Sequence, residues 1–250
     1  MQRRQEISRA LAVVLLLIGS LLVATPAKAK TNTVILYGSE WLGGGGVDIY
    51  SNDGNYGSAI GDYFKIPVNG VEYRTGLRWQ CVEMVYRLYL ARGWISLPTN
   101  PNTFSWSVPH SAREMYDTAP SHLNKSPNGA IEAIGPGDVV VLNGGSFLDD
   151  LGVPAGHVAI VESVSGSTVT TVNQNLNGTN ARRTFTWNQS AKTLNSGWAG
   201  YGTIGIVHAP GSTSNRSQPF IGTPADGNVV ENITPGAGGH YYVAAGGVLF

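Results

Sequence analysis

The sequence contains a single cysteine, Cys81, among 250 residues. One cysteine excludes an intramolecular disulfide framework and a zinc site built from a cysteine cluster. In an exported protein, an unpaired cysteine forms an intermolecular bond, packs as a small apolar residue or serves as a reactive thiol. Which of these three roles applies to Cys81 depends on the residues around it.

Charged residues are also few, at 13% of the chain, with 16 basic and 16 acidic residues. Residues 1–29 hold four of the basic residues and one of the acidic residues, so the remaining chain has a net charge of −3. Nucleic acids and anionic membranes attract basic surfaces. We therefore expect neither of them as a partner.

Long apolar runs are absent except near the N-terminus, where "LAVVLLLIGSLLV" (Leu11–Val23) follows three arginines. The run is short for a membrane-spanning helix but has the length of a signal-peptide core, and Ala27-x-Ala29 supplies the small residues of a cleavage site. The pattern predicts a signal peptide over residues 1–29, cleaved near Ala29, with an uncleaved anchor as the alternative. We expect a secreted or cell-wall-associated protein, extracellular or periplasmic, without a membrane partner after cleavage.

A metal site is not expected either. The segment from Leu42 to Tyr63 is rich in Gly, Asn and Asp, which invites a calcium interpretation. It lacks the spaced acidic frame of a calcium-binding loop and the closing Glu, so solvated turns explain its composition better. No cofactor is expected.

The periodicity of apolar residues predicts one helix before a series of strands. In "QCVEMVYRLYLARG" the apolar residues from Val82 to Tyr89 have helical spacing, which predicts a helix with one buried face, ended by Gly93. A second, shorter helix is predicted at Ser111–Ala119.

The later part of the chain has the alternation typical of strands. "HVAIVESV" and "TVTTVNQ" flank the turn "SGS" as a hairpin, and "DVVVLNG", "RRTFTW" and "YGTIGIVHA" are further strands. Helices followed by antiparallel strands predict the α+β class. The expected organisation is a connector over residues 30–42, one domain over 43–210, and a linker with a short β-like tail over 211–250.

The position of Cys81 favours a reactive thiol. It falls in the first turn of the predicted helix, where free N–H groups and the helix dipole favour negative charge and would acidify the thiol. The backbone N–H there could also face a developing oxyanion. The alternative is a small residue packed in the core.

A candidate base lies on the predicted hairpin. His157 follows Gly156 and opens the first strand, while Asn173 and Asn175 end the second strand. The hairpin brings the start of one strand to the end of the other, and a base for a cysteine nucleophile needs a group that orients its second ring nitrogen. An ordinary strand-edge histidine beside turn-forming asparagines is the alternative.

Four motifs occur in a familiar order: "WQCVEMVYRLY", "GPGDVVVL", "GHVAIVESV" and "VNQN". Together they resemble the CHAP family, the cysteine- and histidine-dependent amidohydrolases/peptidases, over roughly residues 43–210. "WQCVE" is especially similar to amidase domains of the glutathionylspermidine/trypanothione type. The resemblance implies a papain-like cysteine hydrolase fold, with an N-terminal nucleophile helix packed on an antiparallel sheet.

The resemblance also implies roles for individual residues. Cys81 corresponds to the nucleophile, His157 to the general base and acid, and Asn173 to the orienting residue. Many relatives have Glu where this chain has Asn173, and an amide cannot stabilise an imidazolium by charge. Asn175 is the second candidate for a supporting role.

Other residues near the motifs allow more than one role. Gln80 is a candidate oxyanion-hole donor beside the Cys81 N–H, with a surface side chain as the alternative. Asp138 is expected to brace the turn before its strand. Trp79 and Trp106 could line a substrate groove, but core packing is the preferred interpretation.

The predicted function is that of a secreted, monomeric cysteine amidase or endopeptidase acting on bacterial peptidoglycan. The bond would be the muramoyl–L-alanine amide or a peptide bond of the stem or cross-bridge. One alternative is an amidase on a small glutathione–polyamine conjugate. Another is a non-catalytic wall-binding protein on the same scaffold.

Overall fold

The computed structural model describes residues 32–53, 62–108, 110–176, 180–212, 230–235 and 241–245. The predicted signal peptide and most of the predicted C-terminal tail lie outside these residues. Within the described ranges, no helix is long and apolar enough to cross a membrane.

A seven-stranded antiparallel sheet forms the centre of the fold, with its strands in the order β10-β9-β8-β7-β6-β11-β5. The strands are β5 (Lys125–Pro127), β6 (Val139–Gly144), β7 (His157–Ser165), β8 (Thr168–Val172), β9 (Arg182–Asn188), β10 (Thr193–Asn195) and β11 (Tyr201–Val207). The hairpin predicted around "SGS" is β7–β8, with Ser165 opposite Thr168. It places the start of β7 near the end of β8, as the sequence predicted.

Three two-stranded antiparallel pairs accompany the sheet. They are β1 (Val34–Leu36) with β2 (Ile49–Tyr50), β3 (Tyr63–Val68) with β4 (Val71–Leu77), and β12 (Val230–Pro235) with β13 (Tyr241–Ala245). The sequence predicted a short β-like tail, and β13 lies within it. Sequence reasoning missed the β3–β4 hairpin because β4, "VEYRTGL", has a single buried residue and so lacks the alternation of a half-buried strand.

Helix α1 (Cys81–Ala91) is the only α-helix among the described residues. It begins after Gln80 and ends before Gly93, which has the positive φ of 64° expected after a helix and donates its N–H to the Leu90 carbonyl. Every residue of α1 except Val82 is buried, including two charged ones. The prediction of one buried face was therefore wrong, since polar partners allow the other side to be buried as well.

The second predicted helix is much shorter than expected. Residues Ala112–Met115 form a single 3₁₀ turn, and Glu114 reaches back to the N–H of Ser111 at 3.4 Å. The predicted Ser start is therefore correct, but the helix does not continue to Ala119. The α+β class is confirmed.

Alternating residues of the central strand β6 pack on opposite faces of the sheet. Val139 and Val141 belong to the apolar cluster that contains α1, whereas Val140 and Leu142 belong to a second cluster on the other face. Helix α1 contacts β4 and β7. Trp79 and Trp106 are buried within the first cluster, so they pack in the core as preferred.

Asp138 joins three segments at the entrance to β6. Its fully buried carboxylate accepts hydrogen bonds from the N–H of Gly135 and of Ala209, both at 2.9 Å, and lies 3.1 Å from His208 Nδ1. The other ring nitrogen of His208 lies 2.8 Å from Ser126 Oγ. This network has the bracing role that the sequence predicted for Asp138.

Candidate active site

Three chain segments meet at the candidate site: the start of α1, the start of β7 and the end of β8. They carry Cys81, His157 and Asn173, respectively. The hairpin register places Ile160 opposite Val172, so Asn173 lies beside the first residues of β7. Helix α1, which begins at Cys81, contacts β7, which begins at His157.

Cys81 is the first residue of α1 and is only 5% exposed. Burial raises the pKa of its thiol from 9.0 to about 11, while hydrogen bonds from the backbone N–H groups of Val158, Val82 and Cys81 itself lower it. The predicted acidification is therefore wrong for this buried site, because loss of hydration outweighs the helix-terminus donors. Val158, whose N–H acts on the pKa of the thiol, directly follows His157 in β7.

His157 is positioned by the glycine before it. Gly156 has a φ of 72°, and a Cβ added there would lie 2.2 Å from the Leu142 carbonyl oxygen. Only glycine satisfies both conditions, which explains the Gly-His motif. His157 itself is 4% exposed, and Trp198 lies beside it with ring centroids 5.5 Å apart.

The protonation of His157 follows from its surroundings. Burial lowers the pKa of His157 from 6.5 to about 4, and the hydrogen bond with Asn173 opposes this shift. The ring is therefore neutral at pH 7, and its Nε2 lies 3.2 Å from Asn173 Oδ1. Near neutral pH the site holds an uncharged thiol and an uncharged imidazole.

The neighbours of Asn173 fix its amide orientation. Its Nδ2 lies 3.2 Å from the Thr171 carbonyl oxygen, 3.3 Å from the Ala181 carbonyl oxygen and 3.0 Å from Thr171 Oγ1. Carbonyl oxygens only accept hydrogen bonds, so Nδ2 must face them and Oδ1 must face the histidine. His157 Nε2 then carries the proton, and Nδ1 is the basic nitrogen.

The same neighbours give a physical reason for Asn rather than a carboxylate in this chain. A carboxylate at position 173 would direct an oxygen toward the Thr171 and Ala181 carbonyl oxygens, and no donor would satisfy them. The departure from the Glu of many relatives therefore agrees with the local hydrogen bonding.

The remaining predicted residues also lie at the site. Gln80 is half-buried immediately before Cys81, and its Oε1 accepts a hydrogen bond of 2.6 Å from Asn175 Nδ2. The Gln80 side chain is therefore held by a neighbouring side chain and is only partly exposed. Asn175 contacts Gln80, whereas Asn173 contacts His157, so the two asparagines hold different parts of the site.

Sequence reasoning missed Gln174, which lies between these asparagines and is fully buried. Its Nε2 donates to the Gln80 carbonyl oxygen at 3.0 Å and to Glu83 Oε2 at 2.8 Å, and its Oε1 accepts the Tyr50 N–H at 3.1 Å. The available signal was its place inside "NQN". Trp198 and Asn52 were also missed, since their contacts come from distant segments.

Metal binding has no evident location here. Within the described residues, no group of three or more His, Cys, Asp and Glu side chains is arranged to hold a metal ion.

A thiol at a helix start, beside a histidine held by an amide, is the arrangement of groups that nucleophilic acyl-transfer sites require. Residues 72–175 match the family model described as the CHAP domain, and this segment contains all three side chains. The match confirms the predicted resemblance over these residues. A search of curated proteins gave no match. The family match supports an amidohydrolase or peptidase.

Proposed function

We propose that the protein is a secreted cysteine amidase or endopeptidase that cleaves amide or peptide bonds of bacterial peptidoglycan. The observation that carries the proposal is the contact of α1, which begins at Cys81, with β7, whose first residue His157 is held by Asn173. The CHAP match supports the reaction class. The proposed substrate rests on that match together with the predicted export signal.

The proposed fold is papain-like, with the nucleophile helix packed on the antiparallel sheet. Contacts of α1 with β7 support this arrangement, and so does the apolar cluster that α1 residues share with Val158 and Ile160.

The proposed reaction begins from the neutral pair. His157 Nδ1 takes the thiol proton as the Cys81 sulfur attacks the carbonyl carbon, which forms the C–S bond and a tetrahedral oxyanion. The imidazolium then gives its proton to the amine nitrogen, and the C–N bond breaks to leave a thioester. Water attacks the thioester with His157 as base, which releases a carboxylate and restores the thiol.

Asn173 and Gln80 have separate roles in this scheme. Asn173 Oδ1 accepts a hydrogen bond from the His157 Nε2–H and keeps Nδ1 directed to the reaction, as the orienting group of a catalytic base does. The Cys81 N–H and the Gln80 side chain are the proposed donors to the oxyanion.

The deciding experiment compares the chain from Lys30 onward with its Cys81→Ala variant. Both are incubated with purified peptidoglycan under reducing conditions, and the products are identified by mass spectrometry. New fragments from the wild type alone are expected, and their masses name the bond. Fragments from both proteins, or from neither with peptidoglycans of several chemotypes, contradict the proposal, and the second result favours a wall-binding protein.

A further inference from the structure

We infer that Asn52 and Asn175 are positioning residues that orient the Gln80 side-chain amide so that its Nε2 group faces the developing oxyanion. The inference rests on the proposed function and extends it, because Asn52 lies outside the segment matched to the CHAP domain. The three side chains are called the amide chain below.

The amide chain runs in one direction. Asn52 Nδ2 donates to Asn175 Oδ1 at 2.7 Å, and Asn175 Nδ2 donates to Gln80 Oε1 at 2.6 Å. Asn52 is 2% exposed and follows β2, so the first member is buried in a segment distant in sequence. Both hydrogen bonds are short and partly buried, which favours one orientation of the three side chains.

The polarity of the amide chain determines which end of Gln80 is presented. A primary amide carries its acceptor oxygen and its donor nitrogen on opposite branches. Because Oε1 faces Asn175, Nε2 is directed away from it. Reversal of the Gln80 amide would place two N–H donor groups against each other.

The main chain around Gln80 agrees with this role. Gln80 is the residue before the first turn of α1, with an extended backbone, and its side chain does not cap the helix that it precedes. The Gln80 carbonyl oxygen is held by Gln174 Nε2 at 3.0 Å. Both the main chain and the side chain of Gln80 are therefore fixed by consecutive residues of "NQN".

The backbone conformation of Asn175 allows the two asparagines of "NQN" to contact different residues. Asn175 has a φ of 65°, a left-handed conformation that asparagine tolerates better than most residues. The chain turns there after β8, so Asn173 reaches His157 while Asn175 reaches Gln80.

The test uses neutral variants, which leave the charge around Cys81 unchanged. Asn175→Gly removes the side chain and suits the positive φ. Asn52→Leu removes the donor and keeps the branching and the number of heavy atoms of the side chain. Asn128→Leu is the matched control, because it removes an asparagine that accepts the Leu194 N–H at 2.8 Å outside the site. Thermal unfolding shows which variants fold.

Turnover is measured with peptidoglycan and, in parallel, with the 4-nitrophenyl ester of N-acetylalanine as a small acyl donor. We expect Gln80→Ala to lower kcat roughly 10²–10³-fold, as for loss of an oxyanion-hole donor. Asn52→Leu and Asn175→Gly should each lower kcat about tenfold with little change in KM, as expected for residues coupled to Gln80. Asn128→Leu should retain the wild-type kcat.

Two further readouts separate positioning from a general structural effect. Neither asparagine variant should lower kcat further in a Gln80→Ala background, because both act through Gln80. Alkylation of Cys81 by iodoacetamide forms no oxyanion, so its rate should stay at the wild-type value in both variants.

Full additivity with Gln80→Ala, or alkylation that falls in parallel with turnover, overturns the inference. If the wild type cleaves the ester and leaves peptidoglycan intact, the proposed substrate fails while the amide chain is still judged by the ester. If the wild type cleaves neither compound, both proposals fail.

Discussion

At His157, burial and hydrogen bonding act on the protonation state in opposite directions, and burial dominates. The pKa of His157 is about 4 in the folded protein and 6.5 in the unfolded chain. Between these two pH values the folded protein therefore binds fewer protons than the unfolded chain. The free energy of unfolding is therefore unaffected above pH 6.5 and decreases as the pH falls toward about 4.

We accordingly predict that the wild type loses about 3 kcal/mol more unfolding free energy than His157→Gln when the pH falls from 6.5 to 4. Glutamine removes the titrating group and keeps a donor for Asn173. Urea unfolding at a series of pH values measures the difference between the two proteins. Parallel pH profiles for the two would show that His157 is not buried as a neutral ring.

At the level of elements, the connection between β6 and β7 contains two glycines with almost the same φ and different surroundings. Gly152 has a φ of 73°, and a Cβ added there would meet no atom within 4 Å. Gly156 has a φ of 72°, and a Cβ added there would lie 2.2 Å from the Leu142 carbonyl oxygen. Alanine substitutions at these two glycines therefore distinguish two losses of unfolding free energy. One comes from the left-handed backbone alone, and the other includes a steric clash.

Gly152→Ala is predicted to lower the unfolding free energy by about 1 kcal/mol, the lower range for a non-glycine residue in a left-handed conformation. Gly156→Ala should cost about 3 kcal/mol or more and displace His157, because backbone strain and the clash with Leu142 add. Chemical denaturation and the ester assay measure both variants. Equal losses for the two would mean that the clash is relieved without moving β7.

At the scale of the whole molecule, a buried ion pair links α1 to distant segments of the chain. Arg87 Nε donates to Glu83 Oε1 at 2.7 Å, and the two side chains are 1% and 0% exposed. Thr75 Oγ1 and Gln174 Nε2 also donate to Glu83, both at 2.8 Å. Arg87 Nη1 donates to the Asp48 carbonyl oxygen at 2.8 Å, so β4, the end of β8 and the segment before β2 are tied to the helix.

Removal of one charge from this pair should leave the other buried and unpaired. We predict that Arg87→Met lowers the unfolding free energy by about 3–5 kcal/mol and that Arg87→Met with Glu83→Leu recovers part of the loss. Lys65→Met is the control, because its ion pair with Glu72 is exposed and should contribute less than about 1 kcal/mol. Similar losses for Lys65→Met and Arg87→Met in urea unfolding would contradict the prediction.

The extent to which sequence predicted the site varied with the range of the contacts. The β7–β8 hairpin is local, so alternation and the turn "SGS" sufficed to bring His157 and Asn173 together. The helix around Cys81 was predicted by its period, but its burial on nearly all sides depends on partners such as Gln174 and Asp48. Those partners lie 87 and 39 residues away from Arg87, and no local pattern marks them.

From the sequence alone came the α+β class, a helix with the single cysteine in its first turn and the hairpin that pairs a histidine with an asparagine. These features depend on periodicity, turn residues and short loops, which are local properties of the chain. The protonation states of Cys81 and His157 and the direction of the amide chain from Asn52 to Gln80 follow from the folded structure and from no local pattern. Desolvation and hydrogen-bond polarity depend on every segment packed around a group, and they exist only once the chain has folded.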